Sequence, residues 1–479
     1  MNIYKKIVLL FLTLYGFNVA WSQEKDSLPY YLEKAVKNNP TILQKYAEYE
    51  AALQKVPQVG SLPDPELSAG IFLSPMELVA GNQVADIQLM QMFPWFGTLK
   101  AAKNEMSLMA KAKYEIFKDA KLQVLFEAQQ TWFDLYKVNK AILISQKNLD
   151  ILNTLERLSL IRFKSASISG RSNSSSSGNT QNNVAQNTSS GDSGMTGMSG
   201  NATNNTNSTN TQSAGSMQGN TMSSSGGSGL TDLYRIQIEI SDLENNIALL
   251  NNQKNTTVAR FNSILNRSAN EVVKIPDTIK SNTLIFPLLD VVDSMLVHNP
   301  MLTMLNFEKQ SLEARNEMVT KMGYPMIGLG FNYSLIQKNS MSTLDMNGND
   351  MIMPMVTVTL PIYRKKYKAM QAETEMLKTA TEYQLKATKN SLNNEYYETI
   401  QNYEESKRRI NLYAKQYSLA NQSLKILIKS FSASGVGLTD LLIMQQQTLN
   451  YELKQVEAVA DFNTAIAKFQ RLMAYLQIQ

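Results

Sequence analysis

The chain has 479 residues, 43% hydrophobic and 18% charged, with 25 methionines, one histidine and no cysteine. Without cysteine it has no disulfide, no zinc–thiolate centre and no lipid on an N-terminal cysteine. A net charge of +5, part of it from Lys5 and Lys6, is too small and dispersed for a nucleic-acid surface, so no nucleic acid is expected as a partner.

Residues 1–22 read as a secretory signal: Lys5 and Lys6, the apolar run Ile7 to Phe17, then Ala20-Trp21-Ser22. That run is shorter than the roughly 20 residues a membrane-crossing helix needs. Leu28 to Val56 reads as helix, interrupted at Asn38-Asn39-Pro40 and stopped by Pro57 and Gly60. A β-hairpin is expected over residues 64–93. In its first strand, Glu66 to Leu73, the residues Leu67, Ala69, Ile71 and Leu73 share a face. In the second, Val84 to Phe93, Ala85, Ile87 and Leu89 oppose Asp86, Gln88, Met90 and Met92, and a loop with Pro75 and Gly81 joins the two.

A long helix pair follows, over 97–168 and 230–266. Leu125, Trp132, Leu135, Ile142, Leu149 and Leu152 carry a coiled-coil seam on the outgoing helix, and Ile236, Ile240, Leu243, Ile247 and Leu250 on the returning one. Between them, residues 169–228 are rich in Ser, Asn, Gly and Met, include Met195, Met198, Met217 and Met222, and are expected to form a disordered loop at the hairpin tip.

The plan then recurs. Residues 276–479 hold a helix, a hairpin over 325–361 and long helices over 362–431 and 438–475. Ile327, Leu329, Phe331 and Tyr333 form one strand face. In the next strand Ile352, Val356, Val358 and Leu360 oppose Met351, Met353, Met355, Thr357 and Thr359. Val456, Val459, Phe462, Ile466 and Phe469 mark the last helix. Landmarks repeat in order: Asn39-Pro40 with Asn299-Pro300, Phe93-Pro94 with Leu360-Pro361, and Gly229-Leu-Thr-Asp-Leu233 with Gly437-Leu-Thr-Asp-Leu441. The first two pairs lie about 260 residues apart and the last about 208, which puts about 60 extra residues in the first copy, 23–275. Each strand is about 10 residues long, the length of a tilted transmembrane strand with an apolar outer and a more polar inner face. A soluble, half-buried sheet is the alternative.

Pro63-Asp64-Pro65 before the first strand, Gln91-Met-Phe-Pro-Trp-Phe-Gly97, Leu360-Pro-Ile-Tyr363 and both Gly-Leu-Thr-Asp-Leu segments together resemble the TolC-type outer-membrane efflux proteins, including their metal-cation branch. The resemblance implies a mainly α protein carrying a membrane β-barrel: a homotrimer giving four strands per chain to a 12-stranded barrel in outer-membrane lipid, with the helices forming a periplasmic α-barrel. Four strands alone cannot close a barrel or cover their edges, whereas three copies joined by cyclic symmetry can. The resemblance further implies a passive duct fed by an inner-membrane pump through a periplasmic adaptor, which would dock at the hairpin tips. Those tips are carried by Phe163, Gly229, Leu230 and Thr231 and by Phe431, Gly437, Leu438 and Thr439. The extra residues of the first copy would then lie at the docking end.

Asp232 and Asp440 stand at matching positions after the tips. They either form a carboxylate ring that favours cations at the periplasmic entrance or serve the starts of their helices. Asp86, Gln88, Met90, Met92, Met351, Met353 and Met355 are the candidate lumen residues. Thioethers are soft ligands suited to Cu(I) or Ag(I), so these methionines and the four of the insert are either metal contacts or apolar filling. His298 reads as a loop residue beside Pro300. The cluster Arg364, Lys365, Lys366 and Lys368 either meets lipid phosphates or begins a solvated helix. No cofactor motif and no catalytic constellation is visible, so no enzyme is expected. A periplasmic adaptor or a secreted coiled-coil scaffold is the competing class, against which the four alternating strands argue.

Overall fold

The computed structural model describes residues 27–79, 81–169, 228–279, 287–341, 343, 345–433 and 436–475. The signal and nearly all of the Ser/Asn/Gly/Met-rich insert, including its four methionines, lie outside the described residues.

The order helix, helix, strand, strand, helix, helix occurs twice. The first half holds α1 (Leu28–Asn38), α2 (Pro40–Gly60), β1 (Glu66–Leu78), β2 (Gly81–Phe93), α3 (Thr98–Ser169) and α4 (Ser228–Ile264). The second holds α5 (Leu288–His298), α6 (Pro300–Met322), β3 (Met326–Gln337), β4 (Met351–Thr359), α7 (Arg364–Ser432) and α8 (Leu438–Leu472).

The α1–α2 and α5–α6 elbows have one geometry. Asn39 and Asn299 sit at φ/ψ of −64°/123° and −64°/122°, each ending one helix and capping the next ahead of a proline at its first position. Asn39 Oδ1 accepts from the Thr41 amide at 2.9 Å, and Asn299 Oδ1 from the Met301 amide at 3.0 Å. His298 departs from its expected loop and is the last residue of α5, with Nδ1 3.2 Å from the Ser294 carbonyl. Helix α2 likewise runs through Pro57 to Gly60. Pro57 is exposed in the final turn, where water can take the carbonyl that loses its donor.

The four strands form one antiparallel sheet in the order β1-β2-β3-β4. β1 continues past the loop expected at Pro75 and reaches Leu78, with its pairing irregular between Ile71 and Met76. A proline without an N–H is tolerated there because β1 is an edge strand, as is Pro354 on β4, the opposite edge. Trp95 stacks on Tyr324 with ring centroids 5.2 Å apart, joining the end of β2 to the start of β3.

Helices α3 and α7, of 72 and 69 residues, contain no glycine or proline. Each spans on the order of 100 Å at 1.5 Å per residue. Near the sheet the helices neighbour one another in the order α2–α3–α6–α7, and beyond the elbows in the order α4–α3–α8–α7. The expected seam residues Leu125, Trp132, Leu135, Ile142 and Leu152 are buried on α3, as are Ile236 and Leu243 on α4 and Phe462, Ile466 and Phe469 on α8. One apolar cluster forms around the α1–α2 elbow, another around α5–α6, and a third near the tips. Polar contacts join the halves: Asp461 of α8, paired within its own half to Arg409 at 3.3 Å, lies 3.5 Å from Lys137 of α3, and buried Gln445 of α8 donates to Asn148 of α3 at 3.2 Å. Among the described residues no helix is long and apolar enough to cross a membrane.

Candidate functional site

The sheet gathers all seven candidate lumen residues on one face, because alternate residues of paired strands project the same way. In register across the strands, Asp86 pairs with Ser334 and Ser334 with Met351; Gln88 with Asn332 and Asn332 with Met353; Met90 with Gly330 and Gly330 with Met355. Met92 pairs with Gly328, which pairs with Thr357. A Cβ placed on Gly328 would lie 2.6 Å from Met92 Sδ and 3.6 Å from Met90 Sδ, so two thioethers lean into the space this glycine leaves. The opposite face is largely apolar, with Gln91 its polar residue on β2, and is widely exposed in the isolated chain. Leu67, Ile71, Leu329, Phe331, Ile352, Val356 and Val358 are all exposed on it, Ile71 at 81%.

At the far end of the rods, the tip residues divide into inward and outward sets. Phe431 and Leu438 are buried, while Phe163 and Leu230 are part exposed and Thr231, Gly437 and Thr439 exposed. The two tip glycines differ. A Cβ on Gly229 would come within 2.7 Å of the Phe163 ring, whereas one on Gly437 meets nothing within 4 Å, and Gly437 has an ordinary φ of −73°. Gly229→Ala is therefore expected to displace Phe163 and cost about 1 kcal/mol, and Gly437→Ala to be near neutral. Hydrogen exchange of the tip amides in the two variants checks this; equal protection would contradict it.

The matching aspartates also differ. Asp232 is partly buried, which pushes its carboxyl above the usual range against the opposing pull of Arg235 and Arg162. Asp440 is exposed in the first turn of α8. Two tip residues escaped the sequence reading. Arg235 Nη1 donates to Thr439 Oγ1 at 2.7 Å, linking α4 to α8, and the Arg162 guanidinium lies 5.2 Å from the centroid of the Phe431 ring. Their partners lie more than two hundred residues away in the other half, so no local pattern signals them.

Neither the protein-family models nor the curated proteins include a match to the sequence. Solved structures do match in shape over nearly the whole chain. The Campylobacter jejuni CmeC outer membrane channel aligns at 11% identity over 95% of this chain and 90% of its own, with a TM-score of 0.69. The outer-membrane channel OprN aligns at 11% identity over 94% and 91%, with a TM-score of 0.68. The outer membrane protein VceC of Vibrio cholerae aligns at 14% identity over 93% and 95%, with a TM-score of 0.66. With its strands in one antiparallel sheet and its unbroken helical rods, the chain has the fold of these outer-membrane channels.

Proposed function

We propose that the chain is a TolC-type exit duct of a tripartite efflux system. It is exported by its N-terminal signal and assembled as a homotrimer whose sheets form a 12-stranded barrel in the outer membrane. The two halves arose by duplication, and their helices build a periplasmic tunnel. The tips receive a periplasmic adaptor, and an inner-membrane pump supplies the energy. The observation that carries this reading is the pairing of two features in one chain: a sheet with a largely apolar face that is widely exposed, and two unbroken rods leading from its rim to the tip. The apolar face suits lipid and the opposite face a water-filled lumen. Asp232 and Asp440 contribute carboxylates at the entrance, where they favour cations.

The specific observation favouring a soft-metal cargo is the methionine group of the sheet, with the Met90 and Met92 sulfurs over Gly328. Thioethers bind Cu(I) and Ag(I) in preference to harder cations. Deleting the gene and measuring tolerance to copper, silver, zinc, cobalt, dyes and detergents tests both levels. The duct predicts sensitivity to at least one class, reversed by the intact gene. Silver or copper sensitivity reproduced by Met90→Leu/Met92→Leu supports the metal cargo; sensitivity to dyes and detergents alone removes it and leaves the duct. Recovery of the protein as a soluble periplasmic monomer would remove the duct as well.

A further inference from the structure

At the rim, α6 turns into β3 and β4 into α7 side by side, and a cleft of about 560 Å³ lies between the two junctions. Arg364 and Lys368, one helical turn apart at the start of α7, line it with Tyr324, Tyr367 and Leu360. Gln371, also in the lining, donates to Thr320 Oγ1 at 3.0 Å and ties α7 to α6 across it. The cleft opens on the apolar side of the sheet. Ile327 pairs with Val358 on that face, and Pro325 and Leu360, the next residues of the same alternation, both line the cleft. Every wall comes from one chain, so the cleft is complete in a single copy.

The charge at this cleft is unbalanced. Away from the rim, cations of α6 and α7 face acids of the other helix: Arg315 lies 3.3 Å from Glu373, Lys378 3.6 Å from Glu313 and Lys309 2.8 Å from Glu382. Lys321, near the rim on α6, pairs with Glu317 at 2.6 Å. Arg364 and Lys368 are exposed and make no ion pair or side-chain hydrogen bond with another described residue, and α7 has no acid before Glu373. Nor do these cations serve the helix, because the positive end of its dipole repels them. The surroundings are amphipathic. Phe96 and Tyr363 are exposed at 82% and 84%, Ile362 is exposed beside the cations, and Trp95 stacks on Tyr324. Aromatic rings and basic side chains at the end of an apolar strand face suit a membrane–water interface.

We infer that this cleft is a site for the phosphate of a membrane phospholipid. Arg364 and Lys368 hold the phosphate, Tyr324 and Tyr367 flank it, and the acyl chains run along Leu360, Val358 and Val356. An arginine fork orients a phosphate, and a lysine beside it adds a point charge. Lys365 and Lys366 lie outside the lining and add only to the general attraction of an anionic surface. The inference rests on the reading of the sheet as a membrane barrel, and it assigns the lipid headgroups of the leaflet on the helical side to the level of this cleft.

Two measurements on the full mature protein test it. In the first, detergent-solubilised protein is titrated with phosphatidylglycerol and bound lipid is counted by native mass spectrometry. Arg364→Gln/Lys368→Gln is expected to weaken binding about 25-fold, at about fivefold per cation, and Lys365→Gln/Lys366→Gln far less. Equal losses from the two pairs, or none from either, overturn the cleft as a site. So does displacement of the lipid by inorganic phosphate at matching concentration, which would make the occupant a free anion. The second measurement separates this failure from failure of the barrel. Of the three tryptophans, Trp21 lies in the expected signal and Trp132 is buried in the rods, so quenching by brominated lipids in vesicles reports on Trp95. Bromine high on the acyl chains is expected to quench more strongly than bromine near their ends, and Trp95→Phe to abolish the effect. No quenching in vesicle-bound protein overturns site and barrel together. Quenching alongside undiminished lipid binding by Arg364→Gln/Lys368→Gln overturns the site alone.

Discussion

Leu441→Asp is expected to abolish transport while leaving the sheet and the upper helices folded. Leu441 is completely buried in the tip cluster, where α3 supplies Leu152 and Leu155, α4 supplies Ile236 and Leu243, α7 supplies Leu424 and Phe431, and α8 supplies Leu438 and Leu442. All four long helices meet there, so the cluster holds the two hairpins at a fixed separation. A carboxylate buried in it without a partner costs on the order of 4 kcal/mol, either by separating the helices or by forcing the acid to stay protonated. Leu441→Ala leaves a cavity instead, at about 3 kcal/mol. The checks are hydrogen exchange, with protection lost at the tip and kept around the elbows, and an efflux assay on membranes holding wild-type amounts of trimer. Full efflux by Leu441→Asp would show that the tip packing is dispensable.

Phe469→Ala is the second large effect, and it falls on global stability. The ring is fully buried and lies edge-on to Tyr396 at 6.3 Å and to Tyr403 at 5.8 Å, and Tyr403 stacks on Phe462 at 4.9 Å. Met295 and Leu302, from either side of the α5–α6 elbow, share the cluster, so the ring sits where the elbow crosses α7 and α8. Truncating a buried phenylalanine costs about 3–5 kcal/mol, and the aromatic contacts are lost with it. Thermal unfolding should show the destabilisation, with Phe469→Leu losing less. Phe261, placed at the same point of the first half and edge-on to Tyr31 at 5.3 Å, should behave alike. A neutral Phe469→Ala would mean that the elbow does not depend on this packing.

Much of this arrangement is written locally in the chain. Strand faces are legible because alternation assigns Asp86, Gln88, Met90 and Met92 to one side whatever their partners. Long helices are legible because no glycine or proline interrupts Thr98–Ser169 or Arg364–Ser432. Local rules failed where position within the fold decides the outcome. Proline reads as a breaker, but Pro57 is in an exposed last turn and Pro75 on an edge strand, where its missing donor matters little. The pairing of β2 with β3, which joins the halves into one sheet, has no turn to announce it. At the tip, Asp232 and Asp440 look equivalent in sequence, yet burial and the neighbouring Arg162 and Arg235 set Asp232 apart. Long-range partners of that kind emerge only when the rods bring distant residues side by side.

The lack of any break in α3 and α7 has a mechanical consequence. Sharp helix kinks arise at proline, at glycine pairs or at bulges in the hydrogen-bond ladder, and neither rod contains proline or glycine between the sheet and the tip. The usual residues at which the rods would fold partway along their length are missing, so a separation of the tips would come from tilting the rods at the rim, as levers. With an arm on the order of 100 Å, each degree of tilt sweeps a tip through about 2 Å. An angular change small enough to leave the packing at the sheet undisturbed becomes, at the far end, the width of a water molecule.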